Sequence, residues 1–285
     1  MTSTVLLALS TSLLFGVGDF LGGIATRRDS AYAVTGTSHL LAVVLLGVAM
    51  LFLPTPHPTQ MDLAWGAASG LSGVVGVMSL FAALAVGRMS IVAPIVAALS
   101  AALPAIWDLV SGTTLGSTTL LGIALALVAI VIVSIAPEDQ LHAPTHEYRP
   151  RRALALALMA GVGFSGAFIA FSFTAAESGL APVIAARAVS ITISVALALT
   201  LGRGFPVDRT ARPAALGAGV TDALANVTML TAIRLGPLAI ASVLGSLFPV
   251  VVVVLARVFL GERLTWLQRG GVALAIVAVL LSAVP

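Results

Sequence analysis

The chain has 285 residues, of which 59% are hydrophobic and only 9% charged, and its mean hydropathy is +1.13. Soluble domains carry about 25% charged residues, so this chain cannot clothe a water-facing surface, and lipid must be the solvent for most of it. The absence of cysteine excludes disulfides, thiol nucleophiles and thiolate metal sites. The pI near 10.5 comes from Arg alone, set in ones, twos and threes, which excludes a basic track for nucleic acid.

A hydrocarbon core about 30 Å thick takes roughly 20 apolar residues in a helix. Runs that meet this cover residues 3–24, 31–53, 62–85, 88–110, 117–136, 153–174, 181–201, 212–233, 237–259 and 265–284. They are far too long for barrel strands, so the expected fold is all-α and integral to the membrane, with ten transmembrane helices. The first run lacks a basic leader and reads as a retained span, not a cleaved signal. Breakers separate the runs: Arg28-Asp29-Ser30, Pro54 to Thr59, Arg203-Gly204 with Pro206. Pro182 and Pro237 sit just inside helix starts, where a missing N–H costs nothing. The longest polar stretch, with Glu138, Asp139, His142, His146 and Glu147, falls midway and leaves five spans on each side.

That symmetry points to a duplication. An ungapped shift of 149 residues carries Gly70 onto Gly219, Gly87 onto Gly236, Gly112 onto Gly261 and Gly122 onto Gly271, with Leu115 falling on Leu264. The domains expected are a first five-helix repeat (1–136), a polar connecting loop (137–152) and a second five-helix repeat (153–285). An odd number of spans per unit makes the copies inverted, a recurring plan of secondary transporters.

Leu260-Gly261-Glu262-Arg263-Leu264, followed by Gln268 and Gly271, resembles the signature before the last helix of a repeat in the drug/metabolite transporter superfamily, specifically its EamA-type ten-helix members. Phe15-Gly16 resembles that family's aromatic-Gly pair near a repeat start. The first repeat departs from the pattern: Ser111-Gly112-Thr113-Thr114-Leu115 has Thr113 where the signature has Glu. The resemblance implies a carrier of small organic metabolites with no covalent chemistry, and a cavity bordered by spans 1, 3, 4, 6, 8 and 9.

Connections after odd-numbered spans hold eleven Arg residues, from Arg27 to Arg269, against Arg234 alone on the other side. The positive-inside rule then places both termini outside the cytoplasm, whereas the resembled family is more often described with cytoplasmic termini.

Ionisable groups within a membrane cost a few kcal/mol each, so every one is a candidate site residue. Asp222 lies ten residues into the eighth span, about 15 Å deep, with Asn226 one turn on along the same face. A proton- or substrate-binding role competes there with an interhelical hydrogen bond. His39 and Asp19 reach similar depths and would pair if spans 1 and 2 pack side by side. Asp19 also falls within Gly18-x-x-x-Gly22, a face for close helix approach. Arg187 could bind an anionic substrate or form a salt bridge with Glu177 across a short turn. Asp108 and Arg257 lie near span ends and can snorkel. Pro94 and Pro104 in span 4 and Pro249 in span 9 should kink helices that line the cavity, where Ser242 and Ser246 would offer polar contacts. Trp107, the Phe residues and the Met residues read as packing.

The function expected is a secondary transporter moving a small organic metabolite by alternating access, with protons as a candidate co-substrate. Its expected location is the plasma membrane (the inner membrane in a Gram-negative cell), as a monomer or homodimer. No cofactor or metal is expected; Pro144 breaks the His142–His146 spacing. A channel and a membrane-embedded enzyme are the alternatives, although no filter motif and no cluster of catalytic side chains stands out.

Overall fold

Backbone amides have no partner in lipid, so the chain satisfies them within helices. The structure, a computed structural model, describes residues 2–26, 28–52, 57–86, 89–134, 149–201, 205, 207–260 and 265–283. Among these there is no strand. The helices are α1 (Thr2–Thr26), α2 (Ala31–Met50), α3 (Gln60–Val86), α4 (Met89–Val110), α5 (Ser117–Ser134), α6 (Pro150–Ser172), α7 (Ala181–Thr200), α8 (Arg212–Leu235), α9 (Leu238–Gly245), α10 (Phe248–Leu260) and α11 (Trp266–Ala283). Six of them (α1, α2, α3, α6, α7 and α8) are long and apolar enough to cross a membrane outright, and four shorter apolar stretches supply the remaining spans.

Local chemistry sets the helix ends. Ser30 caps α2, its hydroxyl accepting from Ala33 N. Thr59 and Asp62 form a reciprocal capping box at α3, and Thr265 and Gln268 do the same at α11. Pro150, Pro182 and Pro213 open α6, α7 and α8, while Pro237 lies one residue outside α9 as its N-cap.

Ten spans give eleven helices because the ninth is in two pieces. Residues 246–247 leave the helix ahead of Pro249, which has no N–H to continue the ladder. The expected kink is therefore a full break, with Pro249 the second residue of α10. Pro104 instead is buried in an α4 that runs on without interruption, as it does past Pro94.

The shift of 149 residues maps α5 onto α11 end to end and α4 onto α9 with α10. Helix neighbours obey the same exchange. α1 packs along α8 as α6 packs along α3, and α2 packs on α8 as α7 packs on α3. Likewise α4 meets α6 while α9 and α10 meet α1; the pairs α2 with α7, α4 with α9 and α5 with α11 join the halves directly. Matched helices run in opposite directions across the membrane, so the halves are inverted repeats. Close approach at the matched glycines holds this together. A Cβ on Gly219 would lie 2.5 Å from the Ser38 carbonyl oxygen on α2, and one on Gly70 would collide with the Ala186 carbonyl on α7. Small residues let backbones touch where lipid supplies no hydrophobic drive.

One consequence corrects the sequence reading of span order. α1 and α2 hardly touch, because α8 lies against both. α9 is buried on every side, with all eight residues in the core beside α4.

Candidate functional site

Four candidate residues lie in one layer. Asp19, His39, Arg187 and Asp222 each stand about 10–20 Å from the end of their helix at the Arg-rich side, counted at 1.5 Å per residue. The centre of the layer is an ion pair between α7 and α8. Arg187 Nη2 donates to Asp222 Oδ1 at 2.9 Å, and Arg187 Nε stands 2.8 Å from Oδ2. The second contact is close as an ion pair but off the line of a hydrogen bond. Asn226, mostly buried one turn along α8, donates to the Asp222 carbonyl at 2.8 Å and to its carboxylate at 3.2 Å. The backbones of α7 and α8 hardly meet, so the long guanidinium spans a gap between helices. Arg187 is thus bound to Asp222, and the alternative of a Glu177–Arg187 bridge does not hold. Glu177 sits in a short 3-10 turn, Ala176–Ser178, where its carbonyl accepts from His57 N.

Asp19 approaches this pair from α1 and lies within reach of the Asp222 charge. It does not pair with His39; α8 keeps their helices apart. His39 is buried beside Arg187, and its Nδ1 has no hydrogen-bond partner among the described residues. Asp19 lies nine residues from the lipid-facing Ser10, half a turn out of phase. Its flanking contacts agree: Gly18 abuts Thr221 of α8, and Gly16 abuts Val251 of α10. Asp19 therefore faces the wedge between α8 and α10, yet its side chain is exposed. Beyond it, Gly22 and Gly23 have nothing within 4 Å of where a Cβ would stand. A hollow therefore runs from Asp19 toward the Arg-rich end of α1, and Gly22 makes none of the close approach expected of it.

The opposite end is closed. Arg234, which sequence reasoning set aside as a helix-end residue, donates to the Gly179 carbonyl at 2.9 Å, to Ser178 Oγ at 2.8 Å and to Thr174 Oγ1 at 3.2 Å. Asp62 accepts from Ala175 N at 2.7 Å. Phe173 stacks on Trp65 with centroids 4.5 Å apart and meets Trp107 edge-on at 6.0 Å. Asp108 neither snorkels nor stands free: it takes the Ala239 N–H at 2.8 Å and the Thr113 hydroxyl at 2.8 Å, fixing the α9 start to the α4 end. Nothing in the sequence beyond a polar residue at a span end signals these roles.

Ser242 and Ser246 do not line the hollow. Both are fully buried: Ser242 bonds back to the Ala239 carbonyl, and Ser246 meets Ser100 of α4 at 3.4 Å. A separate shallow apolar groove of about 340 Å³, lined by Leu103, Ile106 and Trp107 of α4 and Val162 and Ile169 of α6, is remote from the charged layer. Among the described residues no three His, Asp or Glu side chains converge to hold a metal ion. The side chains of Pro94 and Arg257, together with residues 261–264 and His142 and His146, lie outside the described residues.

The family model described as the EamA-like transporter family matches this chain twice, over residues 2–135 and 151–284. The chain belongs to the EamA-like transporter family. It is accordingly a multi-pass membrane protein of a family that transports small substrates. The EamA-like pattern acquires physical content in this fold. Gly16 of the Phe15-Gly16 pair is the point where α1 meets α10, since a Cβ there would lie 2.5 Å from Val251 Cβ. Gly112 turns the chain after α4 at φ +96°, a conformation that suits glycine. Gln268 closes the capping box of α11. A solved protein crystal structure superposes on this EamA-like chain with a TM-score of 0.79, covering 99% of this chain and 97% of that one at 18% identity. At that identity the likeness shows the fold alone. A search of curated proteins gave no match.

Proposed function

We propose that the protein is a secondary transporter that moves a small organic metabolite by alternating access, with solute and a coupled proton meeting the charged layer of Asp19, Arg187 and Asp222. The observation that carries this reading is an interior carboxylate, Asp19, exposed to a hollow and set beside a paired Arg187–Asp222. Charges are costly in a bilayer interior and are kept where they serve a pathway. The hollow opens toward one end while the Arg234, Asp62 and Trp65–Phe173 contacts close the other, as one state of such a cycle requires.

Purified protein in vesicles provides the test. Uptake of labelled amino acids and amines should be saturable, stereoselective and driven by a solute or proton gradient, and Asp222→Asn should abolish accumulation. Near-diffusive flux would favour a channel, and conversion of solute without flux an enzyme.

The same reading places the protein in the plasma membrane with the Arg-rich end in the cytoplasm and both termini outside. A reporter that fluoresces only in the cytoplasm, fused after Pro285, should stay dark.

A further inference from the structure

Two kinds of contact hold the closed end, and the inverted repeat tells them apart. The first joins the turn between α6 and α7 to the start of α3: Asp62 Oδ1 accepts from Ala175 N at 2.7 Å, and the Glu177 carbonyl accepts from His57 N at 2.9 Å. Its repeat-mate stands at the Arg-rich end, where the turn between α1 and α2 is joined to the lead-in of α8. There Asp29 Oδ2 accepts from Asp208 N at 2.7 Å, and Arg28 donates to the Thr210 carbonyl at 2.8 Å. A seam made alike at the open end and at the closed end does not depend on which end is open.

The second contact runs from the end of α8 to the same α6–α7 turn. Arg234 donates to Thr174 Oγ1, Ser178 Oγ and the Gly179 carbonyl, and α6 comes lightly against α8 and against α9. The mates of α6, α8 and α9 are α1, α3 and α4. Among the described residues α1 makes no comparable approach to α3 or α4, so this contact is peculiar to the closed end. Its acceptors are neutral. The charges of Asp62 and Glu177 act on Arg234, yet neither side chain bonds it among the described residues. Water can therefore replace two hydroxyls and a carbonyl without stranding a counter-charge, whereas parting Arg187 from Asp222 would strand one.

We propose that Arg234 is a releasable latch, which lets go of Thr174, Ser178 and Gly179 each time the interior turns to face that end, while the Asp62–Ala175 seam beside it stays made. When inverted repeats exchange conformations, the contacts present at one end only are those that must part. In the exchanged state α1 closes on α3 and α4 at the Arg-rich end, and the hollow beside Gly22 shuts. This inference rests on the transport reading above and assigns it a moving part.

The test needs no identified solute. The chain has no cysteine, and nothing lies within 4 Å of where a Gly22 Cβ would stand, so Gly22→Cys reports the hollow through its rate of reaction with N-ethylmaleimide in the full-length purified protein. Adding Arg234→Ala should slow that rate by about fivefold or more, as the population moves to the state with the hollow shut. Adding Asp62→Ala instead should lower the melting temperature, because it also strips the cap from α3, and leave the rate as in the parent. The proposal is overturned if Arg234→Ala reacts as fast as the parent or faster, or if Asp62→Ala slows the rate as much. Should Arg234→Ala fail to fold, Thr174→Val with Ser178→Ala removes two of its three acceptors and is read in the same way. Vesicles separate the latch from the reading beneath it. A rate that responds to Arg234 in a protein moving no labelled amino acid or amine sinks the transport reading alone. Saturable flux of one of these beside a rate blind to Arg234 sinks the latch alone.

Discussion

The charged flank of the interior and its repeat-mate share a backbone plan and almost no chemistry. Under the shift of 149 residues, Asp222 corresponds to Gly73, Arg187 to Ser38, His39 to Ala188 and Asp19 to Phe168. Where α8 and α7 hold an ion pair, α3 offers a bare Gly73, and Ser38 of α2 bonds the Ala215 carbonyl at 2.8 Å. Phe168 packs against the apolar core, whereas Asp19 looks into the hollow. Duplicated packing therefore does not demand a duplicated site. The close approach of Gly70 to α7 and of Gly219 to α2 is matched in both halves, while the groups proposed to meet a solute occur once.

The largest effect should come from breaking what the halves share. Gly70→Leu and Gly219→Leu each force a side chain into a neighbouring backbone, and overpacking of this kind costs about 1–3 kcal/mol or more. Little monodisperse protein should survive size-exclusion chromatography of either variant. Gly73→Ala is the control, since its Cβ would meet Ala167 Cβ at an ordinary 3.8 Å and should leave the yield unchanged. Equal yields for all three would refute close approach as the basis of the symmetry.

Next come the groups that differ. Arg187→Ala or Asp222→Ala alone strands a largely buried charge, at about 3–5 kcal/mol. The double replacement Arg187→Met with Asp222→Leu should recover most of that loss in thermal melts while abolishing transport. A double variant as unstable as either single one would mean the pair holds the fold and not the site.

A smaller loss should follow Asp108→Ala, which strips the cap from α9 and the partner from Thr113, at about 0.5–2 kcal/mol. The change should appear as a lowered Tm with the helix content intact.

The smallest effect belongs to the loop at the Arg-rich end. Asp29 accepts from Asp208 N at 2.7 Å, and Arg28 donates to the Thr210 carbonyl at 2.8 Å. The backbone N–H and hydroxyl of Thr210 hold the Asp208 carboxyl below the usual carboxylate range. A depressed folded-state pKa contributes stability above the free Asp value of about 3.9 and loses it as pH falls through the folded value. Asp208→Asn should lower the melting temperature slightly at neutral pH and match the parent in strong acid.

Span number, helical class and the repeat were legible because lipid demands long apolar runs and because glycines recur in register. The depth of Asp222, Asp19, His39 and Arg187 was legible too, since rise per residue measures it. Their partners were not. Pairing Arg187 with Glu177, or Asp19 with His39, assumed that neighbours in sequence are neighbours in space; α8 undid both, because it lies against both α1 and α2 and its Asp222 takes Arg187. Hydropathy ran smoothly through residues 237–259, so it hid the break at Ser246. Arg234 and Asp62 looked like ordinary helix-end residues because their partners lie in a turn more than fifty residues away from either.

That break in the ninth span is also a mechanical fact. α9 is clamped at its start by Asp108 and walled in along its length, so it acts as a fixed post. α10 is a separate rod of 13 residues, about 18 Å long, joined to that post by a two-residue link. Tilting the rod by about 10° moves its far end by about 3 Å at that length, roughly the width of a water molecule. The joint lies near the bilayer centre, so the half of the span toward the Arg-rich end is hinged to, and not continuous with, the half that Asp108 clamps.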